Sequence, residues 1–124
     1  MTTPLARRIA HTLILTLAMC GASAAHAQQA IRIGELNSYK TQPAFLGPYR
    51  MGMELAVEQV NAAGGINGRP LALIIRDDNS NPGDAVRTAE ELVTREKVDL
   101  LTGTFLSNIG LAVADFARHR KVFF

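Results

Sequence analysis

Apolar positions follow two different spacings along the chain after residue 30. Short runs rich in branched apolar side chains predict β-strands at residues 31–36, 71–76 and 98–102. Between these runs, apolar side chains recur every three or four positions, which predicts helices over residues 48–63 and 82–97. A chain that alternates strand and helix in this way belongs to the α/β class.

The alternation continues to the end of the chain. A third helix is predicted over residues 108–120, and Val122 opens a fourth apolar strand that does not finish. Successive βαβ units with right-handed crossovers form a parallel sheet flanked by helices, which is the fold we predict. Because no turn or polar terminus follows the last strand, we expect the chain to be a fragment of a longer protein.

Two prolines mark predicted helix starts. Pro48 and Pro82 both suit the first helical position, where the missing N–H costs nothing. Asn81 is the predicted N-cap of the second helix, because an asparagine side chain can accept a hydrogen bond from the first turn.

Residues 1–27 show neither spacing. Arg7 and Arg8 precede an apolar run over residues 9–25, and residues 25–27 match the small-x-small site that signal peptidase recognises. The strongly apolar part is far shorter than the ~20 residues that cross a bilayer. We therefore predict a cleaved signal peptide and export to the periplasm, with twin-arginine export as a minor alternative.

Removal of the signal peptide changes the charge and the cysteine content. The formal charge of +2 comes from Arg7 and Arg8, so residues 28–124 are neutral and offer no footprint for nucleic acid. Cys20, the only cysteine, is also lost, which excludes disulfides and cysteine chemistry. A lipid anchor at Cys20 is disfavoured because Met19 stands where a small residue is needed.

Three glycines within residues 61–70 raise the question of phosphate binding. A phosphate-binding glycine loop follows a strand and opens a helix, whereas this stretch ends a helix and leads into a strand. We predict that Gly64 or Gly65 terminates the helix in the left-handed conformation and that residues 67–68 form a tight turn.

No pattern of catalytic or metal-binding residues is found. Residues 77–81 partly resemble a calcium loop, but Pro82 and Thr88 replace its turn glycine and its bidentate glutamate, so we predict a solvated turn. His119 lies at a helix end, where a positive charge favours the dipole. The residues around Ser107 lack the glycines of a nucleophile elbow. We predict no enzyme activity, no metal and no cofactor.

Ligands of open parallel sheets bind beyond the carboxyl ends of the strands, where one candidate loop covers residues 103–108. Ser107 can cap the helix that follows, and the free N–H groups behind it form a site suited to a carboxylate. Capping without ligand binding is the alternative for Ser107.

A second candidate loop, residues 37–47, is longer than the usual connection of about 2 to 6 residues. It holds Tyr39, Phe45 and Leu46 for apolar contact and Lys40 as a possible counter-ion. The length and the aromatic content indicate function, although Phe45 and Leu46 could equally pack beneath the loop.

The chain resembles the leucine/isoleucine/valine-binding family of periplasmic receptors of ABC importers. The resemblance lies in the export signal and in the stretches IRIGELN, GPYRMGMELAVEQVNAAGGINGRPLALIIRDDNSNP and AEELVTREKVDLLTG, with a serine opening the next helix. It implies a two-lobed protein, monomeric at full length, that closes over a small ligand and delivers it to a membrane permease. This chain would be part of the first lobe.

The resemblance also implies roles for individual residues. Ser107 would receive the ligand's carboxylate, with backbone groups of its loop nearby, and Leu46 or Phe45 would form a side wall. The candidate ligand-binding residues are Tyr39, Phe45, Leu46, Phe105, Leu106, Ser107 and Asn108.

The first loop does not determine the identity of the ligand. This loop lacks the Ser-Gly or Thr-Gly turn common in the amino-acid binders. A branched-chain amino acid, an aromatic or other organic acid, and an amide are all consistent with it. A ligand-sensing ectodomain of the same fold is the alternative to a transport receptor, and an exported α/β enzyme is the third hypothesis.

Overall fold

A computed structural model describes residues 29–124, so the predicted signal peptide and Cys20 lie outside the described residues. Strands and helices alternate as predicted. The elements are β1 (Ile31–Asn37), α1 (Pro43–Ala62), β2 (Leu71–Asp77), α2 (Pro82–Thr94), β3 (Leu100–Gly103) and α3 (Ser107–Arg120). Apart from the start of α1, the predicted boundaries differ from these by at most three residues.

The three strands form one parallel sheet in the order β2-β1-β3, which confirms the predicted α/β class. Asn37 at the end of β1 aligns with Asp77 of β2, and Leu36 aligns with Gly103 of β3. The carboxyl ends of all three strands therefore meet at one edge of the sheet. After α3 the chain returns to the sheet, where Phe123 forms a parallel bridge with β3, as expected for the start of a further strand.

Helices α2 and α3 pack together over one face of the sheet and enclose an apolar core. The core residues are Leu36, Ala85, Ala89, Leu92, Val98, Leu101, Ile109 and Val113. Because successive side chains on a strand point to opposite faces, Leu36 enters this core while Glu35 and Asn37 point to the other face. Helix α1 lies on that second face.

Helix α1 begins at Pro43, so the predicted start at Pro48 is wrong. Pro43 occupies the first turn, and Pro48 is accommodated inside the helix. The loop after β1 consequently shrinks to residues 38–42, and Phe45 and Leu46 lie on the first turns of α1. The Gly-Pro pair in this stretch resembles a helix boundary, which explains the error.

The glycine-rich stretch after α1 is a chain reversal, as predicted. Gly64 and Gly65 have φ values of 99° and 74°, and the turn at residues 67–68 is left-handed at both positions. Asn61 fastens the helix end to β2, because its Nδ2 donates to the Leu71 carbonyl at 2.9 Å and the Leu71 N–H donates to its Oδ1 at 2.7 Å. The glycines of this stretch therefore have a structural role in the backbone.

The turn between β2 and α2 is only partly as predicted. Asn81 caps α2 by accepting a hydrogen bond of 3.0 Å from the Asp84 N–H. The solvated turn is wrong for Asp78, whose side chain is fully buried. Its burial is possible because the Ser38 hydroxyl donates a hydrogen bond of 2.7 Å to its Oδ1.

Candidate ligand-binding site

A cleft of about 160 Å³ opens where β1 and β3 end, next to the start of α1. Clefts at this edge of an open α/β sheet are the usual place for a ligand. The lining residues are Asn37, Phe45, Leu46, Tyr49, Gly103, Thr104 and Phe105.

Aromatic rings form the walls of this cleft. The ring centroids of Phe45 and Phe105 are 5.1 Å apart at an interplanar angle of 45°. Phe45 is 62% exposed, Phe105 is 42% exposed and Tyr49 is 38% exposed, whereas Leu46 beside them is buried. Grouped exposed apolar side chains of this kind are typical of a surface that binds a ligand or another protein.

The end of β3 directs Phe105 to the cleft through two residues with positive φ. Gly103 has φ 113° and Thr104 has φ 68°. A Cβ atom at Gly103 would lie 2.2 Å from the Leu36 carbonyl oxygen, so only glycine allows this approach. The Thr104 N–H donates to the same oxygen at 2.8 Å. The backbone, rather than the Phe105 side chain, therefore sets the position of the loop.

Helix α3 begins at Ser107, so the predicted capping role of Ser107 is wrong. The N-cap is Leu106, which makes no side-chain capping bond. Leu106 is extended and packs its side chain against the apolar core, which leaves Ser107 in the first helical position. First-turn N–H groups lack intrahelical partners, so the exposed residues Ser107 and Asn108 present a positive helix end suited to an anion.

The structure brings together only some of the predicted residues. Phe45, Leu46 and Phe105 line the cleft, and Leu106, Ser107 and Asn108 follow Phe105 without belonging to the lining. Tyr39 is directed to Glu35, and the Lys40 Nζ lies 2.9 Å from Asn79 Oδ1 at an exposed position. The other lining residues were not singled out from the sequence: Asn37, Gly103 and Thr104 lie within the two predicted loops, and Tyr49 lies outside them.

A buried polar network lies beneath the cleft on the α1 face of β1. Glu35 is fully buried, its Oε1 accepts a hydrogen bond of 2.9 Å from Asn37 Nδ2, and its Oε2 accepts one of 2.8 Å from the Tyr39 hydroxyl. Burial raises the pKa of Glu35, while these two hydrogen bonds act in the opposite direction. Burial and the bond to Glu35 also raise the pKa of Tyr39.

The network continues to β2 and contains two acceptors without a partner. Asp78 Oδ1 accepts hydrogen bonds from the Ser38 hydroxyl and, at 2.8 Å, from the Ser80 N–H. Within residues 29–124, the buried oxygens Asn37 Oδ1 and Asp78 Oδ2 have no hydrogen-bond partner. A buried polar atom left unpaired costs about 1–3 kcal/mol, so each of these oxygens requires an explanation.

The chemistry that this arrangement offers is recognition. Among the described residues, no three or more side chains of the ligating types are grouped to hold a metal ion. None of the helices in residues 29–124 has the length and apolar content needed to span a membrane. What the site does offer is an aromatic cleft between a positive helix end and a buried acidic network.

Comparison with known proteins identifies the family. The profile of the family described as periplasmic binding protein matches residues 30–124. The chain belongs to this family. Its resemblance to the leucine/isoleucine/valine-binding proteins is confirmed by "Leu/Ile/Val-binding protein homolog 7" of Brucella suis, which is 37% identical over 105 residues. That match covers 84% of this chain and 26% of the relative, so the chain spans about a quarter of the relative's length.

Solved structures of family members agree with the fold. The branched-chain amino acid transporter substrate-binding protein LivJ from Streptococcus pneumoniae, in complex with isoleucine, superposes with a TM-score of 0.68 at 31% identity. The superposition covers 75% of this chain and 27% of LivJ. A solute-binding protein of an ABC transporter from R. palustris, in complex with benzoate, gives a TM-score of 0.65 at 32% identity, covering 75% of this chain and 26% of that protein.

Proposed function

We propose that this chain is the ligand-binding part of a solute receptor of an ABC importer. The observation that carries the proposal is the cleft at the carboxyl edge of the sheet, with exposed Phe45 and Phe105 facing each other beside the free N–H groups that open α3. Such a site captures a small molecule and releases it unchanged. The family and the fold are those of substrate-binding proteins, which supports binding rather than catalysis.

The ligand we propose is a small carboxylate with an apolar body. Its carboxylate binds at the first turn of α3, where Ser107 and Asn108 supply N–H groups and the Ser107 hydroxyl adds a donor. Its apolar part lies against Phe45, Leu46 and Phe105. The isoleucine and benzoate complexes of the two similar proteins support this class, because both ligands combine a carboxylate with an apolar group.

The remaining assignments follow from the same role. We propose a periplasmic location after removal of residues 1–27, a membrane permease as the partner, and a monomeric receptor at full length. The periplasmic binding protein family supports the location and the permease. Tyr39 belongs to this proposal as a residue that supports the cleft through its bond to Glu35.

The test is ligand-dependent unfolding of the full-length product of the gene that encodes this chain. The panel consists of branched-chain amino acids, aromatic acids and amides. A ligand present at 100 times its Kd is expected to add about 2.7 kcal/mol to the free energy of unfolding. An absence of any shift across the panel would overturn the receptor role.

The carboxylate site is tested by Ser107→Ala in the same protein. Loss of a hydrogen bond to a charged group is expected to weaken binding by about 1.5–3 kcal/mol. Thr94→Ala is the matched control, because it removes an exposed hydroxyl at the far end of α2. Equal affinities in the two variants would contradict the proposed position of the carboxylate.

A further inference from the structure

The most informative unexplained atom of the site is Asn37 Oδ1. The Asn37 side chain is 3% exposed and lines the cleft, yet this oxygen has no hydrogen-bond partner within residues 29–124. Buried side-chain oxygens in native proteins are nearly always paired. Asn37 Oδ1 is therefore an unused acceptor that belongs to a side chain of the cleft wall.

Glu35 determines the orientation of the Asn37 amide. Asn37 Nδ2 donates to Glu35 Oε1 at 2.9 Å, and the Tyr39 hydroxyl donates to Oε2 at 2.8 Å. The ionised carboxylate of Glu35 accepts hydrogen bonds and cannot donate them, so the NH₂ group is held toward Glu35 when Glu35 is ionised. The carbonyl oxygen is consequently turned away from Glu35 and has no partner within residues 29–124, and a reversed amide would place two acceptors against each other.

The surroundings of Asn37 also favour a hydrogen-bond donor on the ligand. The buried polar and charged side chains of the described residues are Glu35, Asn37, Ser38 and Asp78, so acidic groups are present among them and basic groups are absent. Two buried carboxyl groups behind the cleft disfavour a ligand acceptor or anion at this position. The positive end of α3, which follows Phe105 in the chain, is instead the place for the ligand's carboxylate.

We propose that Asn37 is a specificity-determining residue whose Oδ1 accepts a hydrogen bond from an N–H or O–H group of the ligand. Glu35 is the positioning residue that sets the orientation of the Asn37 amide. The proposal rests on the proposed solute-binding function and narrows it. The ligand carries a carboxylate for the start of α3 and, separated from it by an apolar part, a hydroxyl, amine or amide donor for Asn37.

The test compares two ligands of the same shape, 4-hydroxybenzoate and 4-methylbenzoate, by calorimetry with the full-length protein. A buried hydroxyl without an acceptor is unfavourable, so a preference for the hydroxyl over the methyl group requires an acceptor in the site. One net hydrogen bond is expected to favour 4-hydroxybenzoate by about 3- to 10-fold. 4-(Aminomethyl)benzoate and 4-ethylbenzoate, which differ in the ammonium group at the end away from the carboxylate, form a second pair for an amine donor.

Asn37→Leu removes the acceptor and keeps an apolar side chain of similar size. In this variant we expect the preference for 4-hydroxybenzoate to disappear or to reverse. Phe105→Leu is the matched control, because it should weaken both benzoates and leave their ratio unchanged. The ratio is measured within one protein, so a moderate loss of stability does not affect it.

The outcomes separate the two proposals. If the wild type binds members of both pairs but favours the donor-bearing ligand in neither, or if Asn37→Leu keeps the preference, the role of Asn37 is overturned while the receptor function stands. If Asn37→Leu does not fold, a wild type that favours neither donor-bearing ligand still overturns the role of Asn37. If no carboxylate in either pair or in the wider panel binds, the receptor function fails and the role of Asn37 fails with it.

Discussion

One face of the sheet packs Leu36 and Leu101 against α2 and α3, whereas the other face places Glu35 and Asn37 beneath the start of α1. The first face is apolar and closed. The second buries polar groups and exposes aromatic rings such as Phe45, and two of its buried oxygens have no partner in the part of the chain that the structure describes. Apolar packing stabilises the fold, while unpaired polar atoms and exposed rings cost stability.

This difference shows how one small sheet separates stability from recognition. Helices α2 and α3 supply five of the eight residues of the apolar core, whereas Leu46 is the buried residue of α1. Unfavourable features on the α1 face can persist because the opposite face compensates for them. Substitutions on each face of the sheet, measured in the full-length protein, test whether stability and ligand binding are separated in this way.

The largest effect is expected on the closed face. Leu101→Ala should lower the free energy of unfolding by about 2–5 kcal/mol, because Leu101 is 1% exposed and its removal leaves a cavity in the core. Urea unfolding measures the loss. Leu111→Ala on the exposed side of α3 is the control and should change stability by no more than about 0.5 kcal/mol. Similar losses in both variants would contradict the assignment of the core.

Gly103→Ala should cost about 1–3 kcal/mol, because it forces a side chain into a backbone conformation with positive φ. The new Cβ would also meet the Leu36 carbonyl oxygen, so the end of β3 must shift. Both faces are therefore affected, and ligand affinity should fall together with stability. Gly52→Ala is the matched control, because a Cβ at Gly52 meets nothing within 4 Å. Unchanged stability and affinity in Gly103→Ala would show that the loop is not set by its backbone.

The polar face predicts a pH dependence that the apolar face lacks. The pKa of Glu35 is raised above its ordinary value of 4.5 mainly by burial. Between pH 4.5 and the raised pKa, the folded state holds a proton that the unfolded state has lost, so the free energy of unfolding falls as the pH rises. Glu35→Gln should remove this part of the slope in urea titrations from pH 4 to 8. An unchanged slope would mean that Glu35 does not titrate abnormally.

The smallest effect on stability is expected at the aromatic wall. Phe45→Leu loses the ring contact with Phe105, which is worth about 0.5–1.5 kcal/mol at most, and Phe45 is largely exposed. Calorimetry with benzoate should nevertheless register a clear loss of affinity. A stability loss as large as that of Leu101→Ala, with unchanged affinity, would reverse the roles of the two faces.

The features that the sequence predicted correctly are those set by neighbouring residues. The alternation of strand and helix follows from apolar spacing, and the left-handed Gly64 and Gly65 follow from their place after a helix. Asn81 is recognisable as an N-cap because the cap depends on only a few adjacent residues. Local chemistry of this kind can be read from a single chain.

The features that escaped prediction depend on which strand becomes central. The sequence of β1 is compatible with either an edge or a central position in the sheet. Glu35 and Asn37 lie in this strand, which is central in the order β2-β1-β3, and both are buried. A charged residue inside an apolar strand was the available signal, because such a residue is almost never buried without partners. The early start of α1 was hidden by a proline that the helix tolerates at Pro48.

The backbone approach at Gly103 has a consequence for how the cleft can change by mutation. Because the course of the loop is determined by the contact of Gly103 with Leu36, the side chains at positions 45, 49 and 105 can be exchanged without rebuilding the scaffold. Single substitutions at the rim can then change the shape of the cleft, whereas a side chain at position 103 would disturb the loop itself.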